Sequence, residues 1–419
     1  MSPMTLSEEL AWRGFVNQTT YKDISAIDGA PINFYFGVDP SADSMTIGNF
    51  ASAMMVRHFI DHGHKAVLLV GGATGMIGDP DGKKQERDLK TLTEVAKNKH
   101  AIAEQYKVIF ANQEFEIVDN YDWFKEISFL DFLRDVGKHV PMRMMLGRDF
   151  IQTRLGDAGS GISYAEFSYS LIQGYDFLHL FRQKGVTLQL SGADQWGNSI
   201  AGVDLIRRTE DGEAHVWTAP LVVNKTTGVK FGKSEGGAIW LDAKKTSPYK
   251  FYQFWLNCDD AGVIDYLKIF TLLTRERIED IESEFTKNKS ARLAQKTLAY
   301  EVTKLIHGQK EADKQQKIAQ ILFQTKDYDS LTDTDFELLS KELPFCESPH
   351  GTSYIDALIA VGLAESKRQA REFISNGAVW NGEKFVVNNT EQIIEQKDAS
   401  LGYVLLVRGK KNLGLIKIT

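Results

Sequence analysis

Residues 32 to 38 (INFYFGV) and 65 to 70 (KAVLLV) are two short apolar runs. Between them lie a polar, glycine-punctuated loop and a helix-like stretch from about Gly48 to His62. Strand, loop, helix and strand form a βαβ unit, whose two strands must run parallel. A parallel sheet needs cover on both faces, so this unit commits the chain to an α/β layered architecture. A third run at 186 to 190 (VTLQL) enters a glycine-bounded turn and then a helix ending at Arg207 and Arg208, extending the pattern. Sheets of this kind bind ligands beyond the carboxyl ends of their strands, where residues 37–49, 71–79 and 192–198 fall.

A chain of 419 residues is too long for one growing core, and several domains are expected. The pattern predicts an α/β domain over 1–246, interrupted by a polar, helix-rich insertion at about 85–150. A helical stretch follows over 247–323, with apolar residues at i, i+3 and i+4. Residues 324–350, acidic and broken by Pro344 and Pro349, read as a linker. A small α+β module closes the chain over 351–419. It holds nine Lys and Arg against seven Asp and Glu, whereas the whole chain carries −7. That reversal of sign points to a module facing nucleic acid. Cys258 and Cys346 make neither a disulfide framework nor a metal-binding pair. Residues 7–13 are acidic and amphipathic, unlike a targeting peptide, and no apolar run reaches the ~18 residues of a membrane span. A cytoplasmic chain with no membrane partner and no metal ligands of its own is expected.

Several segments carry chemistry. Gly37 allows close backbone approach, Asp39 turns the chain, and Gly48 with Asn49 opens a helix whose free N–H groups attract an anion. Ser41, Thr46 and Asn49 add hydrogen-bonding groups suited to phosphate oxygens, although an ordinary capped connection would look the same. Lys230 and Lys233, three apart on the glycine-rich segment KFGKSEGG, can swing ammonium groups onto a polyphosphate. Tyr169, Gln173 and Asp176 share one helix face by their spacing, which either lines a polar pocket or meets solvent. Asp79 begins an Asp-Pro turn at a strand's carboxyl end. Asp194 and Gln195 sit beside Gly192 at the entry to a helix, where a carboxylate commonly holds ribose hydroxyls.

The ordered segments GVDPSADSMTIGN, GGATGMIGDPDGK, NYDWF, GISYAEFSYSLIQGYDF, SGADQWGN and KFGKSEGGAIWLDAKKTSPYKFYQFW strongly resemble those of the bacterial tyrosyl-tRNA synthetases. These are class I aminoacyl-tRNA synthetases, and the resemblance spans nearly the whole chain. It implies a Rossmann-like parallel-sheet catalytic domain, an α-helical domain contacting the anticodon stem, and an S4-like RNA-binding domain from about Ser353. It implies that Tyr35 and Asp176 hold a tyrosine phenol, that Asp79, Tyr169 and Gln173 hold its ammonium, and that Gln195 lies near its carboxylate. Gly37, Asp39, Ser41, Gly48, Gly192 and Asp194 would hold ATP, with Lys83 and Arg87 reaching its phosphates. Lys230, Lys233 and Ser234 fall on the class's KMSKS loop. By the same resemblance ATP arrives with Mg²⁺, the partner is tRNA(Tyr), and two copies associate near residues 129–145. Arg207, Arg208, Lys367, Arg368, Arg371, Arg408, Lys410 and Lys411 would face the RNA.

One departure stands out. The class signature HIGH appears as Thr46, Ile47, Gly48 and Asn49, so both histidines are gone while the glycine and the helix start remain. Asn49 can still donate a hydrogen bond to a nucleotide, and Thr46 offers a hydroxyl toward the leaving phosphates. Ser41 stands where threonine is common, and Phe36 where cysteine is. The expected activity is tyrosine–tRNA ligation. An adenylate-forming paralogue with another acceptor and a non-catalytic RNA-binding protein are the alternatives, and the S4-like tail and the retained pocket respectively speak against them.

Overall fold

The structure, a computed structural model, describes residues 4–79, 90–147, 149–156, 159, 161–234, 237–325, 327–382, 385–409 and 412–419. The side chains of residues 144, 149, 150, 233, 234, 324, 325 and 385 also lie outside the description. Two compact units emerge, Met1–Ser247 with Phe254–Ile306 and Pro248–Gln253 with His307–Thr419.

The first unit is built on a six-stranded sheet. Its strands are β1 (Gln18–Thr19), β2 (Asn33–Val38), β3 (Lys65–Val70), β4 (Phe115–Val118), β5 (Leu188–Gly192) and β6 (His215–Ala219), in the order β1-β6-β5-β2-β3-β4. All neighbours are parallel except β1, which pairs antiparallel with β6. From β2 the chain steps outward to β3 and β4, then returns to lay β5 and β6 on the other side. The order therefore reverses between β2 and β5, where Tyr35 lies opposite Gln189. Loops leaving the carboxyl ends of these two strands diverge and open a crevice.

Helices Tyr164–Lys184 and Trp196–Glu210 flank this point. The first is capped by Ser163, whose hydroxyl accepts from the Glu166 amide at 3.2 Å, and ends at Gly185 with φ of 60°. The two helices approach closely through glycine, since a Cβ on Gly202 would meet Phe177 at 2.9 Å. Phe177 is fully buried, and its packing sets the height of the neighbouring Asp176.

Three strands of this sheet depart from the sequence expectation. The insertion expected at 85–150 is helix-rich over its described residues, but after helix Leu92–Ile109 it also supplies β4. Its sequence FEIV shows no apolar run because β4 is an edge strand with its central residues exposed. Strands β1 and β6 also escaped the pattern, one too short and the other interrupted by Thr218.

In the second unit a five-stranded sheet runs 385–386, 379–381, 403–408, 412–418 and 345–348, the last pair parallel and the rest antiparallel. Gly382, at φ 52°, makes the turn that Asn381-Gly382 announced. Both faces are buried, with period two. Val404, Leu406 and Ile416 pack under helices Tyr354–Ala360 and Lys367–Ser375, while Leu405, Val407, Leu413 and Leu415 join Tyr249, Ile318, Phe336 and Leu339. Residues 324–350 are therefore no linker. They hold helix Asp333–Glu342 and the edge strand Phe345–Ser348, and Tyr328, Leu331, Phe336 and Leu339 are buried in this second core. The expected helical stretch at 247–323 is helical, in five helices from Pro248–Leu256 to Gln309–Gln320, and the division between units falls inside it. No described helix is long and apolar enough to cross a membrane.

Candidate active site

A cavity of about 260 Å³ opens at the carboxyl ends of β2 and β5, inside the first unit. Its wall brings together Tyr35, Gly37, Asp39, Ser41, Thr46, Gly48, Asn49, Asp79, Tyr169, Gln173, Asp176, Gly192, Asp194, Gln195 and Lys230. The stripe of Tyr169, Gln173 and Asp176 thus lines a pocket, and does not face solvent. Lys83 and Arg87 lie outside the described residues, as do the side chains of Lys233 and Ser234.

The floor is a buried carboxylate beside a buried phenol. Asp176, 2% exposed, accepts from Asn120 Nδ2 and from Trp123 Nε1, each at 3.0 Å. Burial pushes its carboxyl well above the ordinary carboxylate range, and the two donors pull it back. Asn120 is itself locked, donating to Thr74 Oγ1 at 3.1 Å and accepting from the Ala73 amide at 2.7 Å. Tyr35 is 1% exposed, and its hydroxyl has no partner among the described residues. Burial and then the Asp176 charge push that phenol well above its usual value. A buried hydroxyl without a partner is costly, so it marks a place where a ligand atom completes the hydrogen bonding. Gln189 Oε1 is a second unpartnered buried atom on the same wall.

Above the floor the wall is acidic. Tyr169 donates its proton to Asp39 Oδ2 at 2.6 Å, which leaves its oxygen only lone pairs to offer. Burial, Asp39 and Asp79 together push the Tyr169 phenol well above its ordinary value. Asp79 accepts from Gln195 Nε2 at 2.5 Å and lies 3.5 Å from Asn198 Nδ2. Asn198 in turn donates to Gln195 Oε1 at 3.1 Å, fixing that amide. Two carboxylates and an accepting phenol oxygen at mid-depth suit a cationic group such as an ammonium.

The rim has the opposite character. Helix Ile47–Asp61 presents its amino end there, with Thr46 as cap and Gly48 bare. Lys230 reaches the same spot: a Cβ on Gly48 would lie 3.9 Å from Lys230 Cε. Its segment is fastened from behind. Val223 bridges Lys230, the Phe231 amide donates to the Val222 carbonyl at 2.9 Å, and the Phe231 ring stacks on Tyr266 at 4.2 Å among Phe254, Trp255 and Phe270. Asp259 accepts from Asn224, Thr226 and Tyr266 at 3.3, 3.0 and 3.0 Å, tying the same hairpin to the helix behind it. A cation beside the positive end of a helix at one mouth is a place for a polyanion.

Sequence reasoning missed Asn120, Trp123, Asn198, Gln189 and Phe231. The segment NYDWF held the first two, but only contacts 53 and 56 residues apart give them meaning. The remaining basic residues do not line this cavity. Arg207 and Arg208 stand exposed at the end of helix Trp196–Glu210, with Arg207 donating to Asp204 at 3.0 Å. In the second unit Lys367, Arg368 and Arg371 are exposed on one helix, Lys367 paired with Asp356 at 2.9 Å. Arg408 is engaged internally, donating to the Leu363 carbonyl at 2.8 Å and lying over the Phe373 ring. Lys410 and Lys411 lie outside the described residues.

Comparison with known proteins bears on this geometry. Residues 28–324 match the family model of class I tRNA synthetases (W and Y), and residues 335–416 match that of the tyrosine–tRNA ligase SYY-like C-terminal domain. Tyrosine–tRNA ligase 2 of Bacillus cereus (strain ATCC 14579) is 44% identical over 99% of this chain and 100% of its own length. Tyrosine–tRNA ligase of Limosilactobacillus fermentum is 43% identical with the same coverage. The crystal structure of a C-terminally truncated mitochondrial tyrosyl-tRNA synthetase from Aspergillus nidulans superposes with a TM-score of 0.70 at 30% identity, covering 77% of this chain and 95% of that one.

Proposed function

Because this chain belongs to the tyrosine branch of the class I aminoacyl-tRNA synthetases, we propose that tyrosine enters the cavity phenol first and meets ATP at the rim. The activity is tyrosine–tRNA ligation, and identity over the whole chain to ligases of that name favours neither a non-tRNA acceptor nor a non-catalytic role. One observation carries the placement of the substrate: the unpartnered Tyr35 hydroxyl beside a buried, braced Asp176 is a floor of the polarity a phenol needs.

In this reading Asp176 accepts the substrate's phenolic proton and Tyr35 completes the pair. Asp79, Tyr169 and Gln173 hold the ammonium. Gln195, already turned by Asp79 and Asn198, stands near the carboxylate. An oxygen of that carboxylate attacks the α-phosphorus of ATP, forming a new O–P bond as the bond to the β-phosphate oxygen breaks and pyrophosphate leaves. Lys230, with Lys233, Lys83 and Arg87 as further candidates, neutralises the charge that grows on the leaving group, while Gly37, Asp39, Ser41, Gly48, Gly192, Asp194 and Ser234 cradle the nucleotide. Mg²⁺ arrives on the polyphosphate. A terminal ribose hydroxyl of tRNA then attacks the acyl carbon and AMP departs. Positioning and charge stabilisation perform both steps, and no protein nucleophile is needed. A homodimer through residues 129–145 accords with the exposure of Phe129, Leu130 and Met142, 63%, 75% and 57%. A cytoplasmic location fits the reaction.

The second unit is proposed to grip the tRNA as an S4-like module, through the exposed face of Lys367, Arg368 and Arg371, with Arg408, Lys410 and Lys411 as further candidates. Arg207 and Arg208 are proposed to serve the RNA from the first unit. Truncation at Pro349 is a poor test, because it would strip Leu405, Val407, Leu413 and Leu415 from Tyr249, Ile318 and Phe336. Arg368→Glu with Arg371→Glu is cleaner, since both side chains are exposed. The pair should lower kcat/KM for tRNA by about tenfold or more and flatten its salt dependence by roughly two in log–log slope. Tyrosine-dependent pyrophosphate exchange should stay at the wild-type rate. Equal loss of both activities, or of neither, would remove this face from the RNA interface.

A further inference from the structure

We propose that Thr46 is a positioning residue that acts through Asn49, turning the Asn49 amide nitrogen toward the nucleotide. The inference rests on the reading that ATP binds at this rim. It reassigns the Thr46 hydroxyl, which the sequence had placed against the leaving phosphates.

The geometry fixes which way the Asn49 amide faces. Its Oδ1 lies 3.0 Å from the Thr46 backbone nitrogen and 2.9 Å from Thr46 Oγ1. A backbone N–H can only donate, so the atom opposite it must be the amide oxygen and not the nitrogen. The flip that leaves most Asn side chains ambiguous is thereby excluded. Both lone pairs of Oδ1 are then occupied, one by the amide proton and one by the hydroxyl proton.

Two consequences follow for the site. The single proton of the Thr46 hydroxyl is spent, so toward an incoming phosphate this group presents only lone pairs. The Asn49 nitrogen keeps both of its protons, and it has no protein partner among the described residues. Asn49 is exposed on the cavity wall, and Lys230 approaches the intervening Gly48. Asn49 Nδ2 and the Lys230 ammonium are therefore two donors at one rim, and the ligand they fit is an oxygen-rich anion of the nucleoside triphosphate class. Thr46 supplies orientation to the first of them. The pair also spans the start of helix Ile47–Asp61, where residues three apart often bond across a cap, so a purely structural role is the rival account.

The test is a double-mutant cycle on the full chain with four further variants. Single-turnover formation of tyrosyl-adenylate at saturating tyrosine, titrated with Mg·ATP, gives the rate and the ATP affinity for each, and thermal unfolding gives Tm. Asn49→Ala should slow activation by about tenfold, the worth of one hydrogen bond. Thr46→Val, of the same shape without the hydroxyl, should slow it by roughly threefold or more, since the backbone clamp survives. The double variant should be no slower than Asn49→Ala alone. Thr46→Ser returns the hydroxyl and should return the rate. Asn49→Asp keeps both clamps but puts a second, charged oxygen where the donor was, and should fall below Asn49→Ala. Asn49→His replaces the amide with an imidazole that needs no clamp, so Thr46→Val should cost less in that background. Effects that multiply in the double variant would mean that Thr46 touches the nucleotide itself, and a Thr46→Val that lowers Tm at an unchanged rate would leave only the helix cap. Either result overturns the proposal while the ligase reading stands. A wild type that forms no tyrosyl-adenylate would overturn both.

Discussion

Asp176→Ala should cut the preference for tyrosine over phenylalanine, measured as the ratio of kcat/KM in pyrophosphate exchange, by roughly 10³ or more. A site built to hydrogen-bond a substrate hydroxyl rejects the analogue lacking it by ~10⁴–10⁵, a range that has tyrosyl-tRNA synthetase itself among its cases. The physical source lies in the buried carboxylate. Asn120 and Trp123 satisfy part of its hydrogen-bonding capacity, and in the proposed placement a phenol above it satisfies the rest. Phenylalanine would leave that capacity unmet in a place water has left. Most of the lost ratio should come from poorer use of tyrosine. Asp176→Asn gives a second reading should the alanine variant fold badly: its amide must point N–H groups at one of two donors, and discrimination should fall with it. Tyr35→Phe should lose only about tenfold in the same ratio, the worth of one hydrogen bond. Full discrimination retained by both Asp176 variants would remove this pair from the floor.

Lys230→Ala should slow the activation step by ~10²–10³, the scale of losing one preorganised donor to a developing charge, with KM for ATP changed far less. Lys230 is a candidate for that role because its backbone is pinned while its side chain is free to reach. Phe231 is buried against Tyr266, and Asp259 gathers Asn224, Thr226 and Tyr266, so the segment meets the amino end of helix Ile47–Asp61 at a fixed height. Lys230→Arg should recover only part of the rate, because the guanidinium is longer and planar where a compact charge is wanted. Single-turnover rates across an ATP titration separate the two parameters. A change confined to KM would show Lys230 binding ground-state ATP and nothing more.

The sequence carried the parallel sheet where its strands are buried on both faces. INFYFGV and KAVLLV are legible because nearly every position within β2 and β3 is apolar, and the helix stripe of Tyr169, Gln173 and Asp176 is legible because three polar groups recur on one face. Strand β4 was hidden by the same logic run backwards, since an edge strand with exposed Glu116 and Ile117 needs no apolar run. The segment 324–350 misled for a related reason. Its prolines and acids sit at element ends and on outer faces, while Leu331, Phe336 and Leu339 are buried against strands that come seventy residues later. At the site, local spacing located groups that line the cavity but not the groups that hold them. Asn120 and Trp123 behind Asp176, Asn198 behind Gln195, and Phe231 behind Lys230 act through contacts between distant segments, which no periodicity records. The Thr46–Asn49 bond is local, three residues apart, yet its direction becomes legible only when the backbone donor is placed.

The most direct test of the account is the amino-acid dependence of ATP–pyrophosphate exchange by the unaltered chain, run with tyrosine, phenylalanine and tryptophan at matched concentrations with Mg·ATP. The family model that matches this chain spans enzymes for tryptophan and tyrosine, so the pocket floor and not the fold must decide between them. The account predicts exchange with tyrosine and at most a trace with the other two, because only a phenol satisfies Tyr35 and Asp176 together. Exchange driven by phenylalanine or tryptophan as readily as by tyrosine, or no exchange with tyrosine at all, would contradict it.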